Sequence, residues 1–217
     1  FPPGYDFRIP IVGISGNSGR TVVAEMVAHF IRLTNMHVGL STNNGLYFGS
    51  RTIKQTSSSH WENARRTLQN RAIEVAVIEN DNASLLLEGL AYDQCQVGIV
   101  LNIDPLKLFP EHNISEEDQL FNVVRTQVDV VLPTGTSVLN ADDAMIVKMA
   151  ELSKGEVMYF SQDPSSPVVI AHQDKGGRSI IVGASVVTLK QGKLDALIIP
   201  IPPAVQDSSL DWAPNLS

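Results

Sequence analysis

The sequence holds a single cysteine, Cys95, so no disulfide can form within the chain, and a reducing, cytoplasmic setting is expected. It is short of positive charge: 16 Lys and Arg against 23 Asp and Glu leave a formal net charge of −7. Non-specific nucleic-acid binding needs a basic face that releases counterions, and this balance argues against it. No apolar run reaches the roughly 18–20 residues that a membrane-spanning helix requires, so no membrane partner is expected. Neither an initiator methionine nor a signal-peptide pattern precedes Phe1, and the chain reads as a domain excised from a longer one. Internal repeats and low-complexity tracts are missing too. What remains is ordinary globular composition, 43% hydrophobic and 18% charged over 217 residues. That suits one large α/β domain, or one domain with an appendage.

The Pro-rich start, residues 1–10, reads as a linker from a preceding domain, residues 11–205 as the domain itself, and 206–217 as a loose tail. A buried strand at Ile9–Ile14 leads through glycines into a helix from about Arg20 to Thr34, whose apolar residues Val23, Met26, Val27, Phe30 and Ile31 recur at three and four. A strand at 37–42 and a hairpin around Asn44-Gly45 follow. Further strands are expected at Glu74–Asn80, Val97–Ile103, 136–143 and 157–163, with helices at Trp61–Asn70, 85–92, 115–128 and 144–154 between them. From Pro167 onward the pattern breaks into short strands, at 168–173, 179–189 and 194–201. Alternation of this kind predicts an α/β fold: a mainly parallel sheet of the P-loop type with helices on both faces, and a small antiparallel β extension at the C-terminal end. Ligands of such sheets sit at the carboxyl ends of the strands. The glycine loop, Glu79, Asn102, Asn140, Asp142 and Asp143 all fall there.

The loop Gly16-Asn17-Ser18-Gly19-Arg20-Thr21 has the outline of a phosphate cradle, in which backbone amides and a helix N-terminus converge on oxyanions. A lysine would reach the terminal phosphates and a hydroxyl would bind Mg2+. Thr21 supplies the hydroxyl, but Arg20 stands in the lysine's place, and its planar fork on a longer stem cannot put charge at the same point. A plain structural strand-to-helix turn is the competing reading. Glu79, at a strand end, either holds a hydrated Mg2+ with Thr21 or faces solvent. Asp142 and Asp143 either meet a ribose or start the next helix. His29 and His37 read as structural, and His60, His112 and His172 lack partners at metal-ligand spacing. Cys95 reads as a packed thiol.

Taken together these strand ends resemble the ATP-binding central domain of the Mur ligase family, most closely the Mur-ligase-like half of cyanophycin synthetase. The segments "HVGLSTNNGLYFGSR", "EGLAYDQCQVGIVLNI", "VLNADD" and "YFSQDPSSPVV" carry the resemblance through most of residues 1–170. It implies an ATP- and Mg2+-dependent amide ligase that activates a carboxylate as an acyl phosphate. It also implies an ATP-grasp domain in the same polypeptide, a homo-oligomer, and a third, lid-like domain for which these residues leave no counterpart. The departures fall on the chemistry. The family loop G-T-N-G-K-T is here Gly16-Asn-Ser-Gly-Arg-Thr21, and E-T-A-R-G-G is Glu79-Asn-Asp-Asn-Ala-Ser84. G-E-D-H-L-G is replaced at Asp104-Pro-Leu-Lys-Leu108, and a family lysine corresponds to Val124. Phosphoryl transfer rests on positioning and electrostatics, and each lost donor costs on the order of 10²–10³ in rate. A degenerate active site with a scaffold role is therefore expected. The nucleotide contacts (Gly16 to Thr21, Asn102, Asn140, Asp142, Asp143) and the metal pair Thr21 and Glu79 would be vestigial, and no catalytic residue is named. The second type of cyanophycin synthetase, which polymerises β-aspartyl-arginine dipeptides through its ATP-grasp half, is the nearest parallel. An active ligase adding arginine or dipeptide to a poly-aspartate chain, and a non-catalytic nucleotide- or polymer-binding module, stand as alternatives.

Overall fold

A computed structural model describes residues 9–55, 60–104, 106, 108–112 and 114–201. Most of the linker and the whole of the tail lie outside these residues. The strands are β1 (Ile11–Ser15), β2 (Val38–Thr42), β3 (Gly45–Phe48), β4 (Arg51–Gln55), β5 (Val75–Glu79), β6 (Cys95–Val100), β7 (Val131–Asn140), β8 (Glu156–Ser161), β9 (Arg178–Val182), β10 (Val186–Gln191) and β11 (Leu194–Pro200). The helices are α1 (Arg20–Arg32), α2 (His60–Gln69), α3 (Asn82–Leu87), α4 (Glu117–Val124), α5 (Thr126–Asp129), α6 (Ala144–Met149) and α7 (Pro167–Asp174). All strands join one 11-stranded sheet in the order β11-β10-β9-β8-β7-β6-β1-β5-β2-β3-β4.

From β2 to β9 across that order every neighbouring pair is parallel. The hairpin strands β3 and β4 extend one edge, and β10 and β11 extend the other. The expected antiparallel extension is thus present, continuous with the main sheet and not separate from it. The hairpin expected around Asn44-Gly45 is the β2–β3 turn, with Thr42 opposite Gly45.

One element differs in kind. Residues 168–173, expected as a strand, lie in helix α7, with Pro167 at its first turn and Val169 fully buried. The reason is topological. Strands β8 and β9 are parallel neighbours, so the chain must cross back over the sheet between them, and a helix does this while satisfying its own backbone. The run Val-Val-Ile-Ala has no period that separates a helix from a buried strand.

Alternation along the parallel strands divides the core. Ala24 and Ala28 of α1 pack with Val12, Ile14, Val77, Ile99 and Phe160 on one face. Their sequence neighbours Ile11, Ala76 and Ile78 face Ala64 of α2 on the other. On that same second side, Val100, Leu139 and Tyr159 meet Leu120, Val124, Val128, Ile146, Met149 and Val169 of helices α4 to α7. The small alanines let α1 lie close to the sheet, which brings its first turn to the ends of β1 and β5.

Candidate functional site

Strand β1 ends at Ser15, and the loop turns through Gly16 and Gly19, with φ of 140° and 77°. Both values belong to the region that favours glycine. Gly16 also lies against the backbone of Asn102, where an added Cβ would sit 3.1 Å from its nitrogen and oxygen. Beyond it the loop amides converge as a phosphate cradle would, but on a group of the chain's own. Asn102 Oδ1 accepts from Asn17 N and Ser18 N, both at 2.9 Å. Asn17 N also reaches Asn102 O at 3.1 Å, and Asn102 Nδ2 donates back to Ser18 O at 3.2 Å. Asn17 Oδ1 accepts from Asp104 N at 2.8 Å, tying the loop to the chain after β6. A carboxamide oxygen thus occupies the position where an anion would meet these two amides. Gly19 caps α1 by backbone alone, with no side-chain bond.

Glu79, at the end of β5, is wholly buried. Thr21 Oγ1 lies 3.0 and 2.9 Å from its two oxygens, Asn43 N donates to Oε2 at 2.9 Å and Asn43 Nδ2 to Oε1 at 3.0 Å. Arg20 Nε completes the set at 3.3 Å. The same guanidinium donates through Nη1 to Gly16 O and lies 3.5 Å, through Nη2, from Asp81 Oδ1. Sequence reasoning paired Thr21 with Glu79, and the structure brings them together. It did not foresee Asn43, which the β2–β3 turn delivers from a neighbouring strand. Magnesium binds oxygen in a near-octahedral shell and demands free lone pairs. Here both carboxylate oxygens are engaged by donors, the Thr21 hydroxyl lies within hydrogen-bonding reach of both, and a fixed positive charge stands beside them. These residues do not fit a divalent cation. Among the described residues no group of three or more His, Cys, Asp or Glu side chains could hold one.

Between the loop and the ends of β6 and β7 lies an open cleft of about 530 Å3, lined by Asn17, Ser18, Asn102, Asp104, Glu117 and Asn140 among others. Asp142 and Asp143 also line it; among the described residues lysine and arginine do not. Both aspartates hold the fold. Asp143 caps α6, Oδ1 accepting from Met145 N at 2.9 Å and Ile146 N at 3.3 Å, while Oδ2 takes Ile103 N at 2.9 Å. Asp142 accepts from Ser161 Oγ at 2.5 Å and Gln162 N at 2.8 Å, pinning the end of β8. Asn140 donates to Leu101 O and accepts from Asp142 N, each at 2.9 Å. A triphosphate entering here would face carboxylates, with no cationic side chain among the described residues that line the cleft. Of the segment aligned with the family's acidic-histidine motif, positions 105 and 107 lie outside the described residues. Val124, which the resemblance sets against a family lysine, is fully buried in the apolar cluster of α4 to α7.

Behind the loop lies a polar cluster that no sequence motif announced. Gln127 Oε1, fully buried, accepts from Asn80 Nδ2 at 2.8 Å and Tyr92 Oη at 2.7 Å, and Asn80 Nδ2 also reaches Tyr92 Oη at 2.7 Å. Gln127 Nε2 lies 3.5 Å from Cys95 Sγ. Burial raises the Tyr92 phenol above its ordinary range and pushes the Cys95 thiol up to about 12. The packed-thiol reading of Cys95 agrees with its complete burial. Gly13 provides the space: a Cβ there would meet Gln127 at 2.5–2.6 Å and the Tyr92 oxygen more closely still. His60 Nδ1 lies 3.4 Å from Glu79 O and His172 Nε2 3.1 Å from Arg178 O, both backbone contacts.

No protein-family profile matches the chain. It is similar to curated cyanophycin synthetases. That of Crocosphaera subtropica is 34% identical over 195 residues, which is 89% of this chain and 22% of that protein. That of Synechocystis sp. is 33% identical over 208 residues, 93% of this chain and 24% of that one. The chain thus spans less than a quarter of the length of these relatives. A UDP-N-acetylmuramoylalanine--D-glutamate ligase of Streptococcus equi is 26% identical over 152 residues, 70% of this chain and 29% of that enzyme. Among solved structures, a UDP-N-acetylmuramoyl-L-alanyl-D-glutamate--2,6-diaminopimelate ligase superposes with a TM-score of 0.64 at 12% identity, across 88% of this chain and 39% of that one. At that identity the superposition speaks for the fold alone.

Proposed function

Since the chain is a Mur-ligase-like domain homologous to part of cyanophycin synthetase, we propose that it is the Mur-like unit of a larger, cytoplasmic, ATP-dependent amide ligase, and that this unit no longer turns over ATP. Its role is then architectural: it packs against an ATP-grasp domain of the same polypeptide and against a second copy of itself. The observation that carries this reading is the self-satisfied loop. Asn102 Oδ1 fills the amide cradle of Asn17 and Ser18, and the carboxylate that should face a metal is saturated from within. ATP and Mg2+, which the family resemblance implies, would meet a loop with two of its amides already taken by Asn102 and no fitting metal position. The parent enzyme would polymerise a ready-made dipeptide, needing ATP only at its ATP-grasp half.

Calorimetric titration of the chain with ATP and Mg2+, run beside an ADP-release assay containing poly-aspartate with arginine or β-aspartyl-arginine, separates the readings. The scaffold predicts no saturable heat and no ADP. Binding without ADP would instead establish a non-catalytic nucleotide module, which the open cleft beside the loop favours as the second reading. Binding with acceptor-dependent ADP would establish an active ligase.

A further inference from the structure

Glu79 is shut away from solvent, and a buried carboxylate needs a compensating charge or it destabilises the fold. The guanidinium of Arg20 supplies one at 3.3 Å, and its side chain is itself only 10% exposed. Its three nitrogens are all spoken for, by Glu79, Asp81 and the carbonyl of Gly16. We propose that Arg20 is the resident cation of this site, standing where the resemblance implies a divalent ion and making Glu79 a metal-independent structural lock. The proposal deepens the reading of a retired loop, since it says what now holds that loop shut.

The geometry favours arginine specifically. Gly16 O, Glu79 and Asp81 are each met by a different guanidinium nitrogen, and a planar fork of donors can serve all three, whereas an ammonium is a single point of charge. Arg20 is also not part of the cleft wall, so its charge is turned inward, away from any phosphate that entered. Through Glu79 the lock joins three elements distant in sequence: the loop through Arg20 and Thr21, strand β5, and the β2–β3 turn through Asn43. A second positive charge cannot enter beside the guanidinium without displacing it, because like charges a few ångströms apart repel strongly where little water screens them.

The test needs no nucleotide. The full chain is titrated with Mn2+ alone, free ion being read by its electron paramagnetic resonance signal and stability by thermal melting. The wild type is expected to show no saturable loss of free Mn2+ and no ion-dependent rise in melting temperature. Arg20→Ala, folded by circular dichroism, should melt lower and gain Mn2+ affinity by roughly tenfold or more, and Arg20→Ala with Glu79→Gln should lose that gain. Arg20→Lys covers the case in which alanine does not fold: it keeps the charge but not the fork, and should show a smaller gain of the same kind. Wild-type binding of Mn2+ that Glu79→Gln abolishes would overturn the proposal, and so would folded Arg20 variants that gain none. Because ATP is absent, these outcomes are separate from the ADP-release result. Turnover with no metal bound to the free chain would sink the scaffold reading and leave the lock standing.

Discussion

Replacing Arg20 by methionine keeps much of the apolar stem while deleting the guanidinium. The structure sets the cost. The change removes an ion pair to a carboxylate with no solvent exposure and a hydrogen bond to Gly16 O. Breaking a buried pair from one side costs about 3–5 kcal/mol, because the remaining charge stays buried and uncompensated. Thr21 and Asn43 continue to donate to Glu79, which places the expectation at the lower end, about 3 kcal/mol. For a domain of this size that is a fall of roughly 6–12 °C in melting temperature. Glu79→Gln removes the other charge, and the double variant leaves no buried charge between them. A double-mutant cycle by urea denaturation should therefore show the pair costing less together than the sum of the singles, by about 2 kcal/mol. An Arg20→Met cost below about 0.5 kcal/mol, or an additive cycle, would refute the reasoning.

Asn102→Ala should uncover the amides of Asn17 and Ser18, destabilise by about 1–3 kcal/mol, and speed hydrogen exchange at those two positions selectively; unchanged exchange there would mean the carboxamide does not fill the cradle. Gly13→Ala should destabilise by about 1–3 kcal/mol or more through its collision with Tyr92 and Gln127, and Tyr92→Phe should relieve part of that loss in a melting experiment. The native Cys95 thiol, pushed up to about 12, keeps its proton where the unfolded thiol, near 9.0, has lost it. The unfolded state then binds fewer protons above about pH 9, so stability is full below that pH and falls above it by roughly 1.4 kcal/mol per unit, with Tyr92 steepening the decline. Urea midpoints from neutral to alkaline pH check the sign, and a flat profile would contradict it.

The sheet was legible because its parallel strands are buried on both faces and read as apolar runs, as in Val75–Glu79, while Gly16 and Gly19 marked the turn between strand and helix. Helix α7 was not legible: its strand-like run becomes helical only because β8 and β9 lie parallel, a fact of topology. The same holds at the site. Thr21 and Glu79 could be paired from their places at a loop and a strand end, and Arg20 flagged as a foreign residue. Its inward turn toward Asp81 and Gly16 could not, nor could Asn43 and Asn102, which reach the loop across strands from distant positions. The cluster of Asn80, Tyr92, Cys95 and Gln127 has no sequence spacing at all, since it exists only where β1, β5, β6 and α5 converge.

Amide spectra of isotopically labelled chain, recorded while ATP and Mg2+ are added, address the self-satisfied loop most directly. The resonances of Asn17, Ser18, Gly19, Arg20 and Thr21 are expected to stay in place at millimolar nucleotide. Saturable shifts confined to those five, lost on Glu79→Gln, would show that the cradle still takes a triphosphate and would contradict the account.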